Sequence, residues 1–383
     1  MKKRKLIVVS LICCGVLLIL AAACLIARGA LAKTQQSQMQ AERWAGESGQ
    51  RFMQFTCFFT QDQLKDLESV YALRQKYSDK FAEANLEPHP GGSLYCDAWS
   101  TTGSVKIASE HGSATTSVVA VGGSFFDFHP LTLRSGGYLR QNDLMKDRVV
   151  LDEVLAWMLF GSPYVAGMQV DIGGKPYIVA GVVQRESDKA TMQFAEDGPM
   201  LYIPFESWLT INSKAGIDCY EVVLPEPVDG FTQTVLEGNF SVGDGILQQN
   251  TDRFTLGASI RQMKKFGTRG TRTSAAILPY WEHAARYVED WCTLLAFLAL
   301  LLLIFPAICA LVGFVWGWIM ARKLLIKHLP GLVGKVGTRS TPSPASCIRA
   351  NTIDKRLIKR ERRCPEAGRL RGSAVYHGAG VRR

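Results

Sequence analysis

Two long apolar runs dominate the hydrophobic pattern of the chain. Residues 6–27 contain no charged side chain, and a helix of that length, at about 1.5 Å per residue, crosses a hydrocarbon core of about 30 Å. Residues 291–320 also lack Asp, Glu, Lys and Arg and carry tryptophans near both ends. Because tryptophan rings favour the headgroup level, this second run predicts a membrane span. The first run predicts a retained transmembrane helix, with a cleaved signal peptide as the alternative.

The stretch between the two runs shows both helical and strand-like patterns. Its Gln-rich beginning, residues 33–50, predicts a polar stalk that continues the first helix. Thr60 and Gln63 have the spacing of a capping box, which predicts a helix with an apolar stripe that includes Tyr71 and Tyr77. Short β-branched or alternating segments predict strands at residues 93–99, 105–109 and 116–121.

Two further local signals predict turns and caps. Gly173 and Gly174 separate two alternating segments, and a two-glycine loop supplies the positive φ angles that a tight hairpin needs. We therefore assign both glycines a structural role in a turn. Asp152 and Glu153 could be read as paired carboxylates, but Asp152 stands where a helix begins. A helix cap is the favoured interpretation of Asp152, because its carboxylate can accept from free backbone N–H groups.

The charge distribution sets the predicted topology. The chain has a net charge of +10, but residues 1–5 carry +4 and residues 322–383 carry +13, so residues 6–321 carry −7. An acidic middle argues against a nucleic-acid-binding domain. Since basic flanks stay in the cytoplasm, residues 1–5 and the tail 321–383 are predicted to be cytoplasmic, and residues 28–290 to be exported. Among the exported cysteines, Cys57, Cys96 and Cys219 allow at most one internal disulfide.

No catalytic pattern is visible. The sequence has no HExxH, CxxC or GxSxG motif, and its histidines lack metal-ligand spacing. His129 is interpreted as an ordinary loop residue. The aromatic cluster before the second run favours anchoring at the membrane surface over a ligand platform; it comprises Tyr280, Trp281, Tyr287 and Trp291. We predict a protein that is not an enzyme and has no catalytic residue, metal or cofactor.

Four segments in a fixed order resemble a known family. They are VVAVGGSFFD at 118–127, LRSGGY at 133–138, DRVVLD at 147–152 and GGKPYIVAGVV at 173–183. Placed behind one apolar run and before another, they resemble the periplasmic core domain of MacB-like ABC transporter permeases, a family that also includes FtsX and the lipoprotein-releasing permeases. The resemblance covers residues 1 to 325.

This resemblance implies a fold and a function. The fold would be an α+β extracytoplasmic domain of two subdomains between two transmembrane helices, with an α/β part at 50–115 and 213–285 and a β-rich inserted part at 116–212. The protein would be a permease subunit that transmits movement from a separate cytoplasmic ABC ATPase to the exported domain. Its implied partners are that ATPase, the plasma membrane that it spans more than once, and a second copy or a second permease, but no nucleic acid.

The tail departs from the family pattern. MacB-like permeases carry three spans after the exported domain, whereas one apolar run follows it here. The tail is basic, lacks helical periodicity and is expected to be disordered. It is open whether the tail binds anionic lipid, binds nucleic acid, or is translated out of frame after residue 327, which would make the chain a truncated permease. The alternative function is a two-span receptor or scaffold whose exported domain binds a ligand or partner protein.

Overall fold

The computed structural model describes residues 2–46, 49–88, 92–195, 198–264 and 276–333. Two long helices bound the described part of the chain, α1 (Lys2–Thr34) and α10 (Tyr280–Val333). Both are long and apolar enough to cross a membrane, and the two predicted spans lie within them. Pro306 does not end α10, which is consistent with the tolerance of membrane helices for proline.

Ten strands and eight shorter helices lie between α1 and α10 in the described residues. The strands are β1 (Phe52–Phe58), β2 (Cys96–Ala108), β3 (Ser113–Gly123), β4 (Leu133–Gly136), β5 (Arg148–Asp152), β6 (Gln169–Ile172), β7 (Lys175–Val183), β8 (Met200–Pro204), β9 (Cys219–Pro225) and β10 (Ile246–Gln249). The helices are α2 (Gln40–Ala45), α3 (Leu67–Glu83), α4 (Phe125–Phe128), α5 (Glu153–Phe160), α6 (Lys189–Phe194), α7 (Phe205–Ile211), α8 (Phe231–Asn239) and α9 (Leu256–Met263).

The strands form one mixed sheet. Its order is β10-β1-β9-β2-β3-β8-β5-β7-β4, and β6 pairs with β2 and β7. The pairs β3–β8 and β5–β7 are parallel, and the other neighbours are antiparallel. The predicted α+β domain between two apolar helices is confirmed. The division into parts at 50–115 with 213–285 and at 116–212 stays a prediction.

Side chains of the sheet point alternately into two cores, as successive residues of a strand must. On β3, Val118 and Ala120 face a core that includes residues of α3, α5, α7 and α8. Val119 and Val121 face the opposite core, which contains the α4 phenylalanines and Trp281 at the beginning of α10. The sheet is therefore covered on both faces, and the first turn of α10 forms part of the second cover.

The helix predicted to begin at Thr60 begins later. Residues 61–63 form a short 3₁₀ turn, and the side chain of Thr60 makes no capping hydrogen bond. Asp66 is the cap instead, since its carboxylate accepts from the backbone N–H of Ser69 at 2.8 Å. The buried stripe consists of Val70, Leu73, Tyr77 and Phe81, which follow helical spacing, whereas the predicted stripe residue Tyr71 is exposed.

The strands predicted at 93–99 and 105–109 are a single strand, β2. Gly103 lies in its middle and does not interrupt it. An added Cβ on Gly103 would lie 2.6 Å from the indole Cζ2 of Trp208 on α7. This glycine therefore allows an aromatic side chain to pack on the strand rather than marking a turn.

Two compact units are defined by contacts, Met1–Gly317 and Trp318–Arg383. The first contains the sheet and both of its cores. In the second, residues 318–333 are helical. The prediction of a disordered tail over 321–383 is therefore wrong for residues 321–333, which continue α10 on both sides of the proposed frame change after residue 327. Residues 334–383 lie outside the described residues.

Candidate coupling junction

The two long apolar helices, α1 and α10, run side by side. The Cys292 thiol lies 3.6 Å from the backbone oxygen of Arg28, and the Ser10 hydroxyl lies 3.5 Å from the sulfur of Cys309. The C-terminal part of α1 thus contacts the N-terminal part of α10, and the N-terminal part of α1 contacts a later part of α10. The helices are therefore antiparallel neighbours between residues 10–28 of α1 and residues 292–309 of α10.

The segment after α1 does not continue as a polar helical stalk. α1 ends at Thr34, and the glutamines that follow turn back onto the exported domain, where Gln35, Gln38 and Gln40 are buried. The side chain of Gln54 on β1 holds them, because its oxygen accepts from the backbone N–H of Gln40 at 2.9 Å and its amide donates to the Ser37 oxygen at 2.7 Å. The prediction of a stalk over 33–50 is wrong, since this segment finds partners in the domain.

Arg253 joins three segments at this place. It follows β10 and is almost fully buried. Its guanidinium donates to both carboxylate oxygens of Glu282 on α10, at 2.8 and 2.9 Å. It also donates to Glu289, two helical turns further along α10, at 3.0 Å. It also donates to the side-chain oxygen of Gln38, at 3.0 Å. A single side chain thus ties the end of the domain to the helix after it and to the segment behind α1.

Neighbouring polar groups complete this network. Arg286, one turn along α10, donates to Glu282 at 2.8 Å. The Asn250 amide donates to Gln38 at 2.7 Å, and its oxygen accepts from the Thr56 hydroxyl on β1 at 3.1 Å. We call Gln38, Asn250, Arg253, Glu282, Arg286 and Glu289 the coupling junction.

The electrostatics of the coupling junction keep its arginine charged. Burial lowers the pKa of Arg253, but the adjacent carboxylates of Glu282 and Glu289 outweigh burial and hold that pKa above its ordinary value. Buried charges of this kind are tolerated only when paired and fully hydrogen-bonded, and here the guanidinium has acceptors on three sides. The geometry of the junction is therefore well defined, because any displacement would leave a buried charge unpaired.

His129 forms a second tie between the domain and α10. Its Nε2 lies 2.6 Å from the Glu221 carboxylate on β9, and its ring stacks on Phe125 with centroids 4.4 Å apart. The centroid of the Trp281 ring lies 4.6 Å from that of the imidazole and 5.8 Å from that of Phe125. The interpretation of His129 as an ordinary loop residue is wrong, because its partner Glu221 is distant in sequence and the pair is buried.

Most of the aromatic residues at the beginning of α10 contact the domain. Trp281 is 3% exposed and packs into the sheet's second core, so the prediction that it anchors the chain at the membrane surface is wrong. The hydroxyl of Tyr280 donates to Glu186 at 3.3 Å. Tyr287 packs against Phe194 of α6, and only Trp291 is substantially exposed.

The glycines of the predicted turn lie between β6 and β7. Gly173 has a φ of 61° and Gly174 a φ of 79°. The N–H of Gly174 donates to the Asp171 carboxylate at 2.9 Å, and the flanking residues Ile172 and Lys175 are paired in the antiparallel register. These glycines are far from the coupling junction in sequence and share no hydrogen bond with it. Their structural role stays a prediction.

Asp152 caps α5, as predicted. One of its carboxylate oxygens accepts from the Leu155 N–H at 2.7 Å, and the other accepts from Arg185 at 2.7 Å. Glu153 pairs instead with Arg134, at 3.3 Å. The two carboxylates therefore have separate partners and do not form a catalytic pair.

The described residues assemble no metal site, and the three cysteines of the domain are buried thiols. Within the described ranges, no group of three or more His, Cys, Asp or Glu side chains is placed to hold a metal ion. Cys57, Cys96 and Cys219 are free and buried. Burial raises the pKa of both Cys57 and Cys96 to about 12, so these thiols stay protonated at neutral pH.

The structure has an α+β domain that is joined by buried polar contacts to the apolar helix α10 and to the segment that follows the apolar helix α1. The family model of the MacB-like periplasmic core domain matches residues 18–230. This is more than half of the chain, and the chain belongs to this family, that of the MacB/FtsX-like ABC transporter permeases.

Three solved structures are similar in part. The extracellular domain of the noncanonic ABC-type transporter YknZ from Gram-positive bacteria is 16% identical, with 49% of this chain and 92% of that chain covered and a TM-score of 0.35. The periplasmic region of MacB from Actinobacillus actinomycetemcomitans is 16% identical, with coverages of 56% and 92% and a TM-score of 0.39. A domain of a putative permease protein from Porphyromonas gingivalis is 14% identical, with coverages of 52% and 86% and a TM-score of 0.30. No curated protein matches the chain.

Proposed function

We propose that the chain is a permease subunit that transmits movement from a separate cytoplasmic ABC ATPase to its exported domain, for transmembrane export. The coupling junction is the observation that carries this proposal. Arg253 contacts Glu282 and Glu289 on α10 and Gln38 behind α1. A shift of α10 along α1 would have to move the domain with it or break buried ion pairs.

The energetic argument favours transmission over slippage. Removing one partner of a buried ion pair typically costs about 3–5 kcal/mol, because the other charge stays desolvated. The His129 tie adds a second contact between α10 and the sheet, through Trp281. With two independent ties, the first turns of α10 and the sheet are expected to move as one body.

The proposal includes a topology and a set of partners. Both termini would be cytoplasmic and the domain exported, since basic residues flank both spans on the same side. The ATPase would be a separate protein, and the permease would pair with a second copy or with another permease. No enzymatic activity or nucleic-acid binding is expected of the chain itself. A thiol-directed, membrane-impermeant reagent added to intact cells should label a cysteine placed at Gly173 but not one placed at Ser343; labelling at position 343 would overturn the topology.

A ligand-binding receptor is the second candidate, favoured by one cavity. A space of about 390 Å³ lies beside the beginning of α10. Its lining is largely apolar and includes Leu131, Val183, Glu186, Met192, Tyr202 and Tyr280. Since Tyr280 is the first residue of α10, an occupant of this cavity would contact the helix directly. Volume and lining fall in the range of small-molecule sites.

The decisive experiment separates coupling from folding. The chain would be reconstituted in nanodiscs with the MacB-type ATPase of the same genome, with spin labels on the exported domain to report distance changes on ATP addition. Arg253→Lys keeps the charge but loses the two-pronged contact with Glu282, so it should fold and yet lose most of the ATP-dependent distance change. The matched control is Arg51→Lys, at an exposed pair with Asp229, which should behave like the unaltered chain.

Two results would contradict the proposal. Unchanged ATP-dependent motion in a correctly folded Arg253→Lys chain would show that the coupling junction transmits nothing. Failure of the unaltered chain to bind any such ATPase, together with saturable binding of a small molecule in the cavity beside Tyr280, would favour the receptor.

A further inference from the structure

The short helix α9 (Leu256–Met263) lies directly after the Arg253 turn and is not used by the proposed mechanism. Thr255 caps it, since its hydroxyl accepts from the backbone N–H of Ala258 at 3.2 Å. The position of α9 relative to the membrane can be read from its contacts with α1.

Arg28 fixes α9 at the end of the first membrane span. It is the first charged residue after the apolar run 6–27. Its guanidinium donates to the backbone oxygen of Phe254 and to the Ser259 hydroxyl, the latter at 3.3 Å. The backbone of Arg28 in turn contacts Cys292, at the beginning of the second apolar run. Since both spans end at this point, α9 lies within one arginine side chain of the membrane–water boundary.

The faces of α9 are chemically distinct. Ser259 is buried on the side that contacts Arg28. Leu256 and Ile260, one turn apart, are 41% and 39% exposed, and Met263 continues their stripe. Arg261 and Lys264 are exposed beside this stripe. An apolar stripe flanked by cations is the pattern of helices that lie in the headgroup region of a bilayer.

We propose that α9 is an interfacial helix that inserts Leu256, Ile260 and Met263 into the outer leaflet and places Arg261 and Lys264 among anionic lipid phosphates. The partner of this apolar stripe is the lipid of the membrane that α1 and α10 would cross, because α9 lies beside the ends of both apolar runs. The inference rests on the proposed topology, in which this end of the spans faces outward. An interfacial α9 would also fix the distance of the coupling junction from the membrane surface, because Arg253 is followed directly by Phe254, whose backbone oxygen accepts from Arg28.

The test is depth-dependent quenching in the full chain. A fluorophore would be attached to cysteine in Ile260→Cys, and separately in Leu144→Cys, an exposed apolar position on a loop of the domain. The chain would sit in nanodiscs that contain lipids with a nitroxide at the headgroup. Quenching at position 260 should be several-fold greater than at position 144 and should fall in an Arg261→Gln, Lys264→Gln chain when anionic lipid is present.

Each outcome decides between the hypotheses. Equal, weak quenching at both positions would overturn the interfacial helix and leave the topology intact, provided that position 173 still labels from outside. A second result would also overturn the interfacial helix. If the fluorophore at position 260 is weakly quenched in nanodiscs and cross-links to a second chain in lipid-free detergent, the exposed face of α9 is a protein interface. Failure of the outside labelling, together with strong quenching at position 260, would overturn the proposed topology and with it the outer leaflet as the place where α9 inserts.

Discussion

At the residue scale, the most constrained side chains carry charge in the interior. Arg253 has acceptors on Gln38, Glu282 and Glu289, and Glu282 in turn accepts from Arg286. The buried His129 Nε2 lies 2.6 Å from the carboxylate of Glu221 on β9. Because low local polarity strengthens paired charges and penalises unpaired ones, these residues fix geometry more than they add net stability.

Loss of the Arg253 charge should destabilise the domain. In Arg253→Gln, Glu282 and Glu289 would lose their shared cation, and we expect the free energy of unfolding to fall by about 3–5 kcal/mol. Thermal unfolding of the purified chain, followed by tryptophan fluorescence, measures this. Arg51→Gln is the matched control, since its pair with Asp229 is exposed and should contribute at most about 1 kcal/mol. Equal melting temperatures for the two variants would contradict the prediction.

Asp218 should make stability depend on pH. Its carboxylate is buried and accepts from the Thr101 hydroxyl at 3.0 Å and from the Thr102 N–H at 3.1 Å. Burial raises the pKa of Asp218 to about 7. The pKa of an aspartate in an unfolded chain is about 3.9. At pH values between this pKa and the folded pKa, the folded protein keeps a proton on Asp218 that the unfolded chain has lost. The free energy of unfolding therefore falls as pH rises through this window, by up to about 4 kcal/mol, and levels off above it.

Replacing Asp218 with asparagine should remove this dependence. The amide oxygen can accept from Thr101 and Thr102 as the protonated acid does, without a charge at any pH. Thermal unfolding between about pH 4 and pH 8 should show Asp218→Asn more stable than the unaltered chain at the alkaline end, with little difference at the acidic end. Asp229→Asn, at an exposed site, serves as the control. A steeper fall with pH in Asp218→Asn would count against the assignment.

At the element scale, hairpins and caps depend on local backbone conformation. Gly173 and Gly174 both have positive φ, and an added Cβ would meet only Ile211 at ordinary contact distance or open space. Alanine at either position is therefore expected to cost about 1 kcal/mol through backbone strain rather than through a clash. Gly137→Ala is the control, because Gly137 also faces open space but has no positive φ. Melting temperatures that are the same for all three variants would rule out a structural role for the turn.

Elements encoded by local pattern could be predicted from the sequence, and long-range contacts could not. The apolar spans and the Asp152 cap each follow from residues within one or two turns of one another. Arg253 and Glu282 are 29 residues apart, and His129 and Glu221 are 92 apart, so no local periodicity links them. The one available signal was the spacing of Glu282, Arg286 and Glu289, which places all three on one face of α10.

Beginnings of elements were mispredicted where tertiary contacts compete with local signals. The Thr60 capping pattern is present in the sequence, but residue 60 forms a β-bridge with Ala276 instead. Gly103 looks like a strand breaker, yet it makes room for the ring of Trp208. In both cases the residue that determines the local structure is more than a hundred positions away in the sequence. Such a contact leaves no trace in the local periodicity of hydrophobic and polar residues.

At the scale of the whole molecule, α1 and α10 form an antiparallel pair of apolar helices that is joined to the domain. Small side chains lie on the contact side of α10, where Ala296 and Ala299 are buried while neighbouring leucines are exposed. Small residues allow close approach of helix backbones in lipid, where burial of apolar surface supplies no driving force. The pair therefore depends on packing and on contacts such as that between Ser10 and Cys309.

This pairing predicts a cross-link within one chain. In a chain whose Cys13 and Cys14 are serine, Ser10→Cys would place a thiol beside Cys309, because the Ser10 oxygen and the Cys309 sulfur are 3.5 Å apart. A disulfide requires a sulfur separation of about 2.05 Å, which small side-chain adjustments can reach. Mild oxidation in membranes, followed by protease cleavage in the exported domain, should leave the two fragments joined until a reductant is added. Ile12→Cys is the matched control, since Ile12 is exposed on another side of α1. Cross-linked dimers in place of joined fragments would show that α1 pairs with α10 of a second chain, and the coupling junction would then transmit movement between two copies.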